Sequence, residues 1–244
     1  MDSTSDPNDL TGRFLNAVEE AKKALENQYG RKFSGLKTAI IHADEKKHSV
    51  VRNYRDILDT LVDLRNAIQH GNYNAGKPIA VPREDTVEFM EKLARWIERA
   101  PHISDYMIRN VDVLTPTATL SEAANSVIKH DISQMPVYDG RKYIGLFTTN
   151  AMARWLSTII DSDGTLLADG VTVATILDHA EATEREKFFK PTAPVYTVCN
   201  ALSSGDGPVA ALITTDGKET GELQGLVTRY DVSRILKATT LSLK

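Results

Sequence analysis

The chain of 244 residues is 41% hydrophobic and 25% charged with a formal net charge of −4, the make-up of a globular protein of two units rather than of a long disordered chain. That charge gives no global attraction to nucleic acid or to an anionic membrane, so any contact with RNA must come from a local patch. The single cysteine, Cys199, excludes an internal disulfide and a cysteine-rich zinc site, and no apolar run approaches the ~18 residues of a membrane span.

In chain order, Met1 to Asp9 is polar and acidic and lacks the basic and apolar parts of a signal peptide, so the expected location is cytoplasmic. Phe14, Val18, Ala21 and Leu25 then recur at helical spacing, with Gly30 placed to end the helix. A second helical pattern runs from about Lys46 to His70, where Ile57, Leu61, Leu64 and Ile68 form one stripe and Gly71 marks the exit. Gly71 to Pro82 reads as a loop, Met90, Leu93, Ala94 and Ile97 as a last helix, and Ala100-Pro101 as a boundary. Residues 1–100 are therefore expected to be all-helical.

Past Pro101 short apolar strands alternate with short helices, so residues 113–159 read strand, helix, strand, strand, helix. Thr119-Leu-Ser-Glu122 has the form of a capping box. Met135 to Gly140 reads as a strand entering a turn, and Tyr143 to Phe147 as its return. Asp161-Ser-Asp-Gly164 reads as a turn rather than a calcium loop, because its glycine comes early and no glutamate holds the twelfth position. Much then repeats: Gly145-Leu-Phe-Thr148 corresponds to Gly225-Leu-Val-Thr228, Pro136-Val-Tyr to Pro208-Val-Ala, and Asp139-Gly140 to Asp216-Gly217. A small unit repeated once should pack against its copy.

The end of the second copy, Gly225-Leu-Val-Thr-Arg-Tyr-Asp231, carries chemistry of its own. A strand ending at Thr228 delivers a hydroxyl and backbone amides to a helix start, where a phosphate is favoured. Asp231 has the acceptors for two vicinal ribose hydroxyls, and Arg229 offers a cation to the phosphate. A flat base would fit near Tyr196 and Pro208-Val209. The alternative is that Thr228 caps the helix and Asp231 complements its dipole. In the first copy, Thr148-Thr-Asn-Ala151 puts alanine where the aspartate stands, so that site reads as degenerate. Between Val198 and Pro208 there is room for barely a turn of helix.

This grammar resembles that of CBS domains over residues of about 105–240, with a first repeat at 101–160 and a second at 161–244. The resemblance implies a tandem pair, a Bateman module, that takes an adenine nucleotide (AMP, ADP or ATP) as a regulatory ligand. The expected fold class is a two-domain α+β protein, an N-terminal all-α helical bundle followed by two small β-sheets packed with helices.

In the helical part, Leu64-Arg-Asn-Ala-Ile-Gln-His-Gly71 resembles the Arg-Asn-x-x-x-His signature of HEPN domains. On a helix, Asn66 and His70 stand about 40° apart, away from the Ile57/Leu61/Leu64/Ile68 stripe, with Arg65 beside them. RNA cleavage by its own 2′-hydroxyl needs a proton carrier and a positive group on the phosphorane, which His70 and Arg65 are suited to supply. The resemblance implies a metal-independent ribonuclease and a homodimer in which two motifs meet. The alternatives are that Arg65 and His70 complement a helix C-terminus, or that an inactive bundle dimerises or docks a partner. His42 and His48, six apart, share no helical face, so no metal is expected. The sequence thus predicts a cytoplasmic regulator with no membrane contact, in which nucleotide controls a HEPN-like dimer acting on RNA, or a nucleotide-sensing adaptor without enzymatic activity.

Overall fold

In the computed structural model, which describes residues 9–70, 80–160 and 170–239, helix α1 spans Leu10–Tyr29. Asp9 accepts the Gly12 amide at its start, and Gly30 closes it in the left-handed region (φ 62°). Helices α2 (Leu36–Glu45), α3 (Ser49–Asn53), α4 (Arg55–His70) and α5 (Glu84–Glu98) follow. The described residues up to Pro101, with 238 and 239, form one compact unit and those from His102 to Lys237 another.

In the first unit α1 lies along α5, and Phe14, Val18, Ala21 and Leu25 are buried with Met90, Leu93, Ala94 and Ile97. Two expectations are corrected. The continuous helix from Lys46 is α3 and α4 broken at Tyr54, and the buried face of α4 is Leu58, Leu61, Val62 and Ile68. Ile57 and Leu64 are only half-buried. The reason is α2, which the sequence pattern does not announce: it packs on α4 together with α1, and a helix with two neighbours buries a broader, rotated stripe. The predicted loop at Gly71 to Pro82 and the turn at Asp161 to Gly164 fall largely or wholly outside the described residues.

Both histidines weighed as metal ligands have structural partners. His42 packs edge-on against Tyr29, ring centroids 5.0 Å apart. His48 caps α3, its Nδ1 accepting the Val51 amide at 3.3 Å while Nε2 meets Gln28 Oε1 at 3.1 Å. Burial holds the His48 pKa below its usual 6.5. A proton on Nδ1 would oppose the Val51 N–H, so the cap's contribution is complete above about pH 6.5 and is lost as pH falls through the depressed folded value. His48→Ala should therefore cost about 1 kcal/mol at pH 8. Melting temperatures from pH 8 to 5 check this: parent and variant should converge at the acid end.

The second unit contains two β-α-β-β-α repeats. In the first, Leu114 bridges in parallel to Val137, and α6 (Leu120–His130), β1 (Gln134–Asp139), β2 (Lys142–Thr148) and α7 (Thr149–Ile159) follow. The Thr119/Glu122 capping box forms at the head of α6, the Glu122 carboxylate accepting the Thr119 amide at 2.7 Å and the Thr119 hydroxyl accepting the Glu122 amide at 3.2 Å. After α8 (Val173–Leu177), the second repeat runs β3 (Glu186–Phe189), α9 (Val195–Ser203), β4 (Ala210–Thr214), β5 (Leu223–Thr228) and α10 (Asp231–Thr239). β1 and β2 pair antiparallel, and β3-β4-β5 form a sheet with β3 parallel to β4. The helix α9 starts at Val195, earlier than the sequence implied, and has nine residues rather than a turn.

Each repeat lends a segment to the other. Ile103 and Met107 lie in the core of the second repeat with Val195, Val198, Val227 and Ile235. Val173 and Ile176 lie in the core of the first with Met135, Phe147 and Trp155. The motif glycines make room for this exchange. A methyl on Gly225 would stand 2.7 Å from Met107 Cγ and 2.8 Å from the Ile108 carbonyl, whereas one on Gly145 would meet the Leu177 Cδ1 at 3.3 Å. Gly225→Ala should destabilise by roughly 1–3 kcal/mol, since backbone must shift, and Gly145→Ala by less. Urea unfolding of the two variants checks the order.

Candidate functional site

The Gly225-to-Asp231 motif forms a strand-to-helix corner. The Asp231 Oδ2 accepts the Thr228 amide at 2.9 Å and the Thr228 hydroxyl at 3.0 Å, and Oδ1 accepts from Arg234 at 2.9 Å. One carboxylate thus caps the corner from within: Asp231 accepts from Thr228, whereas the sequence pattern suggests Thr228 as the cap and Asp231 as the partner of the dipole. The Asp231 side chain is 14% exposed, and with three donors already on its oxygens about one acceptor site is left for a ligand.

Beside it lies a cavity of about 600 Å³. Thr228, Tyr230 and Asp231 form one wall, and Asp131, Ser133 and Gln134, from the end of α6 to the first residue of β1, form another. Ile108, Ile132 and Leu226 supply apolar surface, and Thr149 stands at the head of α7. Tyr230 is 82% exposed, an aromatic face left in solvent at the rim. The residues of the first repeat were not foreseen, because nothing local ties positions 131–134 to Thr228. Tyr230 carried a signal: a large aromatic between the threonine and the aspartate of a helix start has no core to join.

Other expected site residues sit elsewhere. Tyr196 is in the first turn of α9, 4% exposed, among the buried apolar residues of that helix. The Arg229 Nε donates to the Pro208 carbonyl at 3.1 Å, another of its nitrogens donates to the Gly207 carbonyl, and its amide donates to the Val209 carbonyl. Arg229, Pro208 and Val209 are thereby joined to one another, and with Tyr196 they are not among the residues lining the cavity of Thr228 and Asp231. In the first repeat the Thr148 hydroxyl accepts the Ala151 amide at 3.0 Å, Ala151 is buried, and Asn150 is exposed. That corner has a cap and no carboxylate. Cys199 is buried, and burial with the Asp231 charge nearby pushes its thiol up to about 11, away from thiolate chemistry.

A family model matches the first repeat only. Residues 103–158 match the CBS domain. The matched CBS domain covers the first repeat together with the Ile103–Met107 segment that it lends to the second. Among solved structures, the CBS domain pair of protein MJ0100, in complex with 5-methylthioadenosine and S-adenosyl-L-methionine, is 20% identical, with 58% of this chain and 99% of that one covered and a TM-score of 0.44. CBSX2 in complex with AMP is 17% identical, with 56% and 96% covered and a TM-score of 0.41. A CBS domain-containing protein from Bacillus anthracis is 17% identical, with 58% and 96% covered and a TM-score of 0.44. No curated relative matches the chain in sequence.

The helical unit has a cavity of its own, about 340 Å³, on which Arg65 and Asn66 of α4 meet Lys22 of α1 and Lys37 of α2, with Ser34 and Gly35 at the start of α2. Lys22 is paired with Glu19 at 2.9 Å and Lys37 with Asp59 at 2.8 Å. Arg65 is half-buried, donates to Asn66 Oδ1 at 3.1 Å, and has no carboxylate partner among the described residues. His70 ends α4, and its side chain lies outside the described residues. Among the described residues no group of three His, Cys, Asp or Glu is placed to hold a metal, and no helix is long and apolar enough to cross a membrane.

Proposed function

We propose that residues 102–237 form a regulatory CBS pair that binds one adenosine-containing ligand in the cavity beside Thr228 and Asp231. The observation that carries this is the convergence on one opening of a helix-start carboxylate, polar groups from Ser133 and Gln134, and an exposed aromatic, Tyr230. These are the parts a nucleoside needs: an acceptor for a ribose hydroxyl, hydrogen bonds for the edge of a base, and apolar surface for its faces. AMP, ADP and ATP share that unit, and Ala151 leaves the first repeat without an equivalent carboxylate. Titration calorimetry with adenosine and AMP tests it. Binding to the parent at one site per chain is expected, and absence of binding by both ligands would overturn it.

A second reading belongs to the helical unit and rests on the cationic cavity at Arg65. The Arg65 guanidinium, without a carboxylate partner among the described residues, suits a phosphodiester, and with Asn66 and His70 it matches the HEPN signature, which implies a ribonuclease working without metal across a homodimer. Nucleoside at the CBS pair would then bias the geometry of that dimer, a coupling of roughly 1–3 kcal/mol giving a 5–150-fold effect. The rival within this reading is an adaptor whose helical unit only dimerises or docks a partner. Light scattering should give about twice the monomer mass, since a two-fold axis brings identical motifs together; a monomer at micromolar concentration removes the composite site.

A further inference from the structure

The cavity at Asp231 has a charge pattern that a phosphate does not fit. Among the described residues lining it, Asp131 and Asp231 are carboxylates and none is lysine, arginine or histidine. The cations near it in sequence are engaged or stand outside the lining. Arg229 is held on the Gly207 and Pro208 carbonyls, Arg109 on the Ser104 carbonyl, Arg234 on Asp231 itself, and His130 Nδ1 lies 3.2 Å from Asp112. Lys129 is exposed in the last turn of α6 and does not reach the lining.

Two helix starts remain as sources of positive potential, at Thr149 of α7 and Asp231 of α10. Each contributes about half an elementary charge, falling off within a turn. The start of α10 is met by its own Asp231, and at α7 the Thr148 hydroxyl already accepts the Ala151 amide. Asp231 is thus answered by Arg234 and by the start of its own helix, and the uncompensated charge on the lining is the exposed Asp131, which exceeds the half charge that the start of α7 adds. A phosphate dianion would enter against like charge with no cation to pair, whereas an uncharged or cationic nucleoside would meet acceptors throughout.

Resting on the adenosine reading above, we infer that the cavity selects an adenosine derivative bearing no 5′-phosphate, uncharged or cationic at that end, in preference to AMP, ADP or ATP. A ribose hydroxyl donates to the remaining acceptor site of Asp231, the base edge meets Ser133 and Gln134, and the 5′ substituent lies toward Asp131 and the apolar surface rather than against a guanidinium. Asp131, exposed at the left-handed end of α6 with φ 51°, acts here as a specificity residue through its charge.

Calorimetry on the full chain at low salt, with adenosine, 5′-methylthioadenosine and S-adenosylmethionine set against AMP and ATP, tests the inference. The unphosphorylated ligands should bind at least about 10-fold more tightly than AMP, the penalty of like charge at an unpaired site. Asp131→Asn keeps a residue suited to positive φ and should narrow the adenosine-to-AMP ratio several-fold, an effect that added salt should mimic. AMP or ATP binding as tightly as adenosine, or a ratio unmoved by Asp131→Asn, would overturn the selection and leave the adenosine reading standing. Binding by none of the five would overturn both.

Discussion

Asp231→Ala should weaken adenosine binding by about 10–150-fold, the equivalent of the roughly 1.5–3 kcal/mol that hydrogen bonds to a charged acceptor contribute. The same carboxylate also caps the corner by accepting the Thr228 amide and hydroxyl, and losing a cap costs about 1 kcal/mol of stability. The two effects separate experimentally. Thermal melting of the unliganded variant reads the cap, and calorimetry well below its melting temperature reads the ligand. A variant that melts lower but binds as the parent does would assign Asp231 to the fold alone. Tyr230→Ala offers a second check, because an 82% exposed ring can be removed with little effect on packing. Stacking of a base on an aromatic is worth about 1–3 kcal/mol by alanine substitution, so a clear loss of affinity without loss of stability is expected.

On the ribonuclease reading proposed for the helical unit, Arg65→Ala and His70→Ala should each lower RNA cleavage in EDTA by about 10²–10⁴-fold while the fold survives. Lys22→Ala and Lys37→Ala should matter less. Both lysines stand within 2.9 Å of a carboxylate, so much of their charge is already answered, whereas Arg65 has no such partner among the described residues. Fragment analysis of a structured RNA, with parent and variants purified in parallel, checks the order. Equal cleavage by parent and His70→Ala would point to a contaminating nuclease and leave the unit as a dimerisation or docking scaffold.

The features legible in the sequence are those whose cause is local. The Thr119/Glu122 box and the left-handed Gly30 each close within three or four residues, so spacing alone specifies their hydrogen bonds, and the strand-to-helix corner from Thr228 to Asp231 is equally local, although which of its two residues accepts was not legible. The alternation of strand and helix after Pro101 is legible for the same reason. The buried face of α4 was not, because α2 decides it: Leu58 and Val62 are as apolar as Ile57 and Leu64, and periodicity cannot choose between adjacent stripes until a neighbour covers one. The direction of Arg229 depended likewise on carbonyls at Gly207 and Pro208, some 20 residues away in the chain. Above all, the sequence by itself determined the corner that carries Asp231, but only the tertiary structure placed Asp131 to Gln134 opposite it. Each repeat exposes an apolar face that it cannot cover alone, and burying that face through exchanged segments brings the wall of one repeat against the helix start of the other.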